Sequence, residues 1–211
     1  MPKEILISIK NLVRVYNPAK NIKIPALNRI NLDIYKGEFL ALIGASGSGK
    51  TSLLNLIGLI DRADAGELWI NNRNINELEE SEKTEWRLAY IGFIFQFFNL
   101  LDNYNAWENI AFQLRLQKYS KKESRAKALE IIKFLGLKDK ADLYPSELSG
   151  CEQQWVGVGR ALAKESLIIL ADEPTANLDS KNGQAVISLL RDINIRFGKT
   201  IILVTHEPYF A

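Results

Sequence analysis

The spacing of apolar residues changes several times along the chain, and each change predicts a different element. Residues 5–9 and 12–16 are dense in β-branched and aromatic side chains and predict two β pieces, with Asn17-Pro18 as the stop. Residues 26–35 alternate over their second half, so one face of that strand is wet, and Lys36-Gly37-Glu38 turns the chain. The run 39–43 is wholly apolar, as in a buried strand, and 52–57 reads as helix. Residues 66–70, followed by Asn71-Asn72, predict another strand of an antiparallel part.

Beyond that point helical spacing takes over. Residues 81–88 predict a short helix and 90–95 a strand that ends at Gln96. Ala128, Ile131, Ile132 and Leu135 recur at i, i+3, i+4 and i+7, with Gly136 as the stop, and Lys121-Lys122-Glu123-Ser124-Arg125 forms the solvated surround of that helix. Leu148-Ser149-Gly150 opens a helical stretch reaching Lys164. Residues 167–171 are continuously apolar, as expected for a parallel strand covered on both faces. Val186, Leu189, Leu190, Ile193 and Phe197 form a last amphipathic stripe, ended by Gly198. A final strand spans 200–205, with the one histidine, His206, just past it. The pattern predicts one domain over residues 1–211: a parallel α/β core, an antiparallel piece ahead of it, and a helical insert at about 97–160.

The stretch Gly44-Ala45-Ser46-Gly47-Ser48-Gly49-Lys50-Thr51 sits between the apolar run and the helix, and fits the phosphate-binding pattern G-x-x-x-x-G-K-[ST]. Glycines let backbone N–H groups turn inward and come close to phosphate oxygens, where a Cβ would obstruct. The start of the following helix, including Ser52, adds positive potential for the same anion. Lys50 is placed to reach the β- and γ-phosphates, and the Thr51 hydroxyl to ligate Mg²⁺. These residues predict a nucleoside triphosphate site.

Composition narrows the remaining classes. A chain of 211 residues, 47% hydrophobic and 25% charged, is ordinary for a globular domain with a sizeable core. A net charge of +2 gives no support for a nucleic-acid partner. The one cysteine, Cys151, excludes an internal disulfide and fits a reducing compartment. The N-terminus is too short in apolar residues for a signal peptide, and no apolar run is long enough to span a bilayer. Any membrane role is expected to come through a partner.

Asp172-Glu173 follow the buried run 167–171. A carboxylate at the carboxyl end of a parallel strand lies beside the crevice where ligands bind in open α/β sheets. Asp172 is placed to hold Mg²⁺, and Glu173 to act as general base or water-positioning group. Read alone, Tyr16 is a strand aromatic, Gln96 a polar strand end and His206 a rim histidine. Together these residues resemble an ATP-binding-cassette (ABC) ATPase over nearly the whole chain. Tyr16 matches that family's adenine-stacking aromatic, residues 44–51 its Walker A, and Gln96 its Q-loop glutamine. Leu148-Ser149-Gly150-Cys151-Glu152-Gln153-Gln154 is similar to the LSGGQ-type signature, and Leu170-Ala171-Asp172-Glu173-Pro174 to Walker B with its glutamate. Asn177-Leu178-Asp179 resembles the D-loop, and Val204-Thr205-His206-Glu207 the switch-histidine loop. Three stretches, residues 94–101, Glu108-Asn109-Ile110 and 173–180, are similar to the lipoprotein-release and macrolide-export (LolD/MacB-type) branch.

The resemblance implies an α/β P-loop NTPase core with a mainly parallel sheet, an N-terminal antiparallel β subdomain and an inserted α-helical subdomain. It implies ATP and Mg²⁺, with Thr51, Asp172 and Gln96 toward the metal, and Glu173, His206 and Gln96 as catalytic residues. Tyr16, residues 44–52 and, from a facing subunit, Ser149 and Gly150 would contact nucleotide. The implied partners are a second nucleotide-binding subunit and a membrane permease, without nucleic acid, on the cytoplasmic face of the membrane. Residues Phe97, Phe98, Leu100 and Leu101 are either part of the permease-docking groove or core.

Four residues depart from the family's pattern. Cys151 stands at the signature's second glycine, Trp155 at an arginine, and Gly157 and Gly159 at helix-favouring positions, where each glycine costs about 1 kcal/mol. They suggest a weakened signature half-site, and hence an alternative: an ATP-binding switch impaired in hydrolysis. A non-transport cassette is the other alternative, although the coiled-coil insertion or second cassette usual there is not in this sequence. The lack of an Asn-Lys-x-Asp motif argues against a GTPase. The chain stops at Ala211, and the family's further strands and terminal helix are expected to be missing.

Overall fold

A computed structural model describes residues 3–19 and 22–207. The chain runs β1 (Ile5–Ala19), β2 (Ile22–Tyr35), β3 (Phe39–Ile43), α1 (Lys50–Ile57), β4 (Ala65–Ile70), β5 (Arg73–Asn74) and α2 (Glu80–Tyr90). It continues through β6 (Ile91–Ile94), α3 (Ala106–Leu116), α4 (Lys121–Phe134), α5 (Gly150–Ala163), β7 (Ile168–Asp172), α6 (Ser180–Phe197) and β8 (Thr200–Thr205). One sheet, in the order β2-β1-β4-β5, is antiparallel; the other, β3-β8-β7-β6, is parallel.

The two β pieces expected near the N-terminus are one strand with a bulge, and Asn17-Pro18 does not stop it. Asn11 takes a left-handed conformation (φ 49°), and the pairing shifts between Ile9 and Leu12. One extra residue there moves the inward-facing set from odd to even positions, which is why Ile7, Ile9 and Leu12 are all buried. Gly66 faces the bulge; a Cβ on it would lie 2.3 Å from the Asn11 carbonyl oxygen, so only glycine fits.

In the parallel sheet, β7 and β8 are buried along nearly their whole length, as their continuous apolar runs predict. Alternate residues serve opposite faces. Ile168, Leu170, Ile202 and Val204 pack with Leu53, Leu54, Leu56 and Ile57 of α1. Ile169, Ala171, Ile201 and Leu203 pack with Val186, Ile187, Leu190 and Ile193 of α6. The α6 stripe is therefore shifted from the expected one. Ile187 joins the core, while Phe197 is 48% exposed and meets Phe134 edge-on.

Helices α3, α4 and α5 lie between β6 and β7 in sequence and share an apolar cluster of their own. Trp155 borders that cluster and the α6 side of the sheet, so the ring that stands in place of arginine is packing between two cores. Asn109 is buried and fully used: its amide donates to the carbonyls of Leu101, Tyr104 and Asn105, and its oxygen accepts from the Leu101 amide. That set pins the loop ahead of α3.

The two unusual glycines of α5 differ. A Cβ on Gly159 would lie 2.8 Å from both Ile110 Cδ1 and Leu135 Cδ1, so this glycine is what lets α3 and the end of α4 close on α5. At Gly157 the nearest heavy atom would be the Phe98 oxygen at 3.6 Å, an ordinary contact. Gly157→Ala is expected to raise stability by about 1 kcal/mol, or about 2–4 °C in Tm, through helix propensity alone. Gly159→Ala is expected to lose that gain to crowding. Thermal melts of the two variants check this, and equal stabilisation by both would contradict it.

Candidate functional site

The loop between β3 and α1 is shaped by residues that only glycine satisfies. Gly49 sits at φ 91° as the N-cap of α1, and a Cβ there would lie 2.4 Å from the Ala26 carbonyl oxygen. No side chain caps α1, so its first backbone N–H groups take no partner from a capping side chain and point into the loop. Lys50 folds over the loop, its ammonium donating to the Gly44 oxygen at 2.7 Å, the Ala45 oxygen at 2.9 Å and Ser48 Oγ at 3.4 Å. The result is a concave surface of amides with a cation at its centre.

The parallel register brings two carboxylates beside it. Asp172 at the end of β7 accepts a hydrogen bond from Thr51 Oγ1 at 3.2 Å. Burial raises the Asp172 pKa and the Glu173 charge adds to that, while the Thr51 hydrogen bond and the Lys50 charge oppose it. Glu173 follows in a left-handed conformation (φ 45°), its amide donating to the Val204 carbonyl and its carboxylate 3.0 Å from His206 Nδ1. A non-glycine residue held there is strained, and such strain collects at functional sites. A cleft of about 240 Å³ joins these parts: Tyr16, Ile24 and Pro25 wall one side, residues 46–52 form the floor, and Glu173 closes the far end.

The residues fit the groups that the sequence implies. Inward amides and Lys50 suit a polyphosphate. The hydroxyl of Thr51 and the carboxylate of Asp172 are hard oxygen donors of the kind Mg²⁺ prefers. Among the described residues no three His, Cys, Asp or Glu side chains form a metal cluster.

Comparison with known proteins agrees with this geometry. Residues 27–176 match the family model described as ABC transporter. The chain belongs to the ABC transporter family. It is 44% identical over 207 residues to the ABC transporter ATP-binding protein MJ0796 of Methanocaldococcus jannaschii, covering 96% of this chain and 87% of that one. It is 40% identical over 209 residues to the lipoprotein-releasing system ATP-binding protein LolD of Francisella tularensis, covering 99% and 90%. The solved dimeric structure of the MJ0796 cassette in a post-hydrolysis state bound to ADP and Pi superposes with a TM-score of 0.88 at 42% identity, over 98% of this chain and 90% of that chain. The chain is an ATP-binding, transport-coupled ATPase subunit.

The remaining predicted residues of this ABC subunit lie off the cleft. Ser149 caps α5: its hydroxyl and amide both donate to Glu152, at 2.9 and 2.8 Å, while Gly150 rests near Phe98 and Leu178. Cys151 is half-buried, and burial, with Asp179 and Glu152 adding, raises its thiol pKa. Gln96 does not line the cleft, but its backbone is gripped: Asn177 donates to the Gln96 oxygen at 2.9 Å, and buried Gln154 donates to the Phe95 and Pro174 oxygens. These ties link the glutamine segment to the segment after β7. The spacing of Asn177 and Gln154 in sequence gave no sign of them, because each contact spans a different crossover.

Removing the strain at Glu173 gives a direct check. Glu173→Gly is expected to be about 1 kcal/mol more stable than Glu173→Ala, since only glycine relaxes at φ 45°. Denaturant midpoints decide it. Equal stability of the two would show that the backbone there is not strained.

Proposed function

We propose that this chain is the nucleotide-binding subunit of a LolD-type transporter, folded as one domain over residues 1–211 with a helical insert at about 97–160. In this reading Tyr16 stacks on adenine and the amides of residues 44–52 with Lys50 hold the phosphates. Thr51 and Asp172 would hold Mg²⁺, with Gln96 reaching it from outside the cleft lining, and the ion would neutralise phosphate charge and so ease transfer of the γ-phosphoryl group. Glu173 positions and deprotonates the attacking water, and His206 holds Glu173 in place. The observation that carries the reading is the convergence of Lys50, the Thr51–Asp172 pair and the Glu173–His206 pair around one crevice.

Ser149 and Gly150 are not among the residues that line this crevice, and in this reading they serve the nucleotide of a facing subunit. The dimeric ADP- and Pi-bound structure of the relative MJ0796 supports pairing with a second nucleotide-binding subunit. No helix of the described residues is long and apolar enough to cross a membrane; in this reading a membrane permease is the partner, met on the cytoplasmic face. In this reading the docking surface centres on Phe97, which is 68% exposed; Phe95, two residues before it, lines a cleft with Phe93, Arg160 and Lys164. In that cleft Lys164 is buried and donates to the Arg87 carbonyl, and Arg160 donates to the Phe98 carbonyl, so both cations are held inside the fold; burial lowers the Lys164 pKa to about 8. No nucleic acid takes part.

A second reading, an ATP switch slow to hydrolyse, has one specific support. The Ser149 hydroxyl is engaged by Glu152, an anion at the helix end that would meet a partner's γ-phosphate. One experiment addresses both readings. Glu173→Gln is expected to lower turnover at least about 100-fold while ATP still doubles the particle mass in light scattering. If the wild type shows only single-turnover hydrolysis, the switch reading holds; if Glu173→Gln turns over like wild type, the catalytic assignment is wrong.

A further inference from the structure

Behind Tyr16 lies a network that neither the family match nor the sequence pattern assigns. Arg14 and Tyr16 are two apart on β1 and so share a face. The Arg14 guanidinium lies over the Tyr16 ring, 4.6 Å from its centroid. The same guanidinium grips Asp61 with two prongs, Nε to Oδ2 at 2.9 Å and an Nη to Oδ1 at 2.7 Å. It also approaches Asp64 at 3.4 Å. The Tyr16 hydroxyl donates to Asp61 Oδ2 at 2.8 Å, and the Val15 amide donates to Asp64 Oδ2 at 2.6 Å. Arg14 and Asp61 are both largely buried, with side chains 20% and 21% exposed.

This geometry has a directional consequence. The ring of Tyr16 is fixed at its edge by Asp61 and on one face by Arg14, so a nucleobase has the opposite face to stack on. Asp61 follows the end of α1, whose first residue is Lys50. The network therefore ties the aromatic platform to the helix that begins at the phosphate loop, across 47 positions of sequence. A planar two-pronged ion pair suits this role better than a lysine, whose single flexible charge fixes neither distance nor plane.

We propose that Arg14 and Asp61 are positioning residues for nucleotide binding, holding Tyr16 as a one-faced stacking platform at a set reach from the phosphate loop. This rests on the reading of Tyr16 as the base-stacking residue. The pair then contributes to binding of a nucleotide only through the base. It adds nothing for a ligand that carries ribose and phosphates alone.

The test compares ADP with ribose 5-diphosphate, neither of which is hydrolysed, by calorimetry with Mg²⁺ on the whole chain. Arg14→Gln is expected to weaken ADP about tenfold and leave ribose 5-diphosphate unchanged, as loss of an ordered stack would do. Arg14→Lys and Tyr16→Phe are expected to lose about threefold each for ADP; both keep a cation or a ring in place and guard against a misfolded Arg14→Gln. In a Tyr16→Ala background Arg14→Gln should cost nothing more. Equal loss for both ligands, or an Arg14 effect that survives in Tyr16→Ala, overturns the proposal. If Tyr16→Ala itself leaves ADP affinity unchanged, the base-stacking reading fails and this proposal falls with it. If Tyr16→Ala weakens ADP and none of the Arg14 and Asp61→Asn variants does, this proposal alone fails.

Discussion

The register of three parallel strands is the constraint on which the site depends. Ile43 pairs with Thr205, and Asp172 with Val204, so β3, β8 and β7 end at one level. The candidate site residues start at that level: Asp172 is the last residue of β7, and the glycine loop, Glu173 and His206 directly follow Ile43, Asp172 and Thr205. Because β7 and β8 are buried on both faces, a slip of one residue would turn each core side chain toward the wrong helix layer. The hydrophobic cost of that slip is what keeps Asp172 and Glu173 level with the glycine loop. Packing that looks purely structural thus fixes distances such as the 3.2 Å between Thr51 and Asp172.

Around this level the chain accepts local costs. Glu173 is held in a left-handed conformation, Asp172 is pushed toward its protonated form by burial, and Lys50 is bent onto its own loop. The first two are unfavourable taken alone, while the Lys50 ammonium is satisfied by the Gly44 and Ala45 carbonyls. Away from the crevice several features are conventional: complete capping boxes at α3, α4 and α5, a satisfied buried Asn109, and alternating core faces on the central strands. Left-handed non-glycine residues also occur at turns and bulges away from the crevice, such as Asn11, Leu59 and Lys118; what sets Glu173 apart is that it directly follows the buried strand β7 and carries a carboxylate facing His206.

Much of this was legible from the chain alone, for physical reasons that can be named. Apolar runs such as 167–171 have one plausible home, a strand covered on both faces, and the glycine loop has the same spacing wherever phosphate is cradled. The bulge at Asn11 was not legible, since a phase change between Ile9 and Leu12 reads equally as two strands. The exposed end of α6 at Phe197 was missed because a helical stripe says which residues align and not where the core stops. Gly159 and Trp155 read as defects of the signature helix, whereas Gly159 answers to Ile110 and Leu135, and Trp155 to two apolar clusters. The Arg14–Asp61 pair was invisible because it joins two separate elements and follows no period.

The central claim is that strand register delivers Asp172 to the same phosphates that Lys50 and the loop amides hold. Calorimetric titration of ATP with and without Mg²⁺, on the wild type and on Asp172→Asn, tests it most directly. Mg²⁺ should strengthen ATP binding by the wild type at least about tenfold, and Asp172→Asn should remove that gain while leaving metal-free binding intact. An undiminished Mg²⁺ gain in Asp172→Asn would contradict the account.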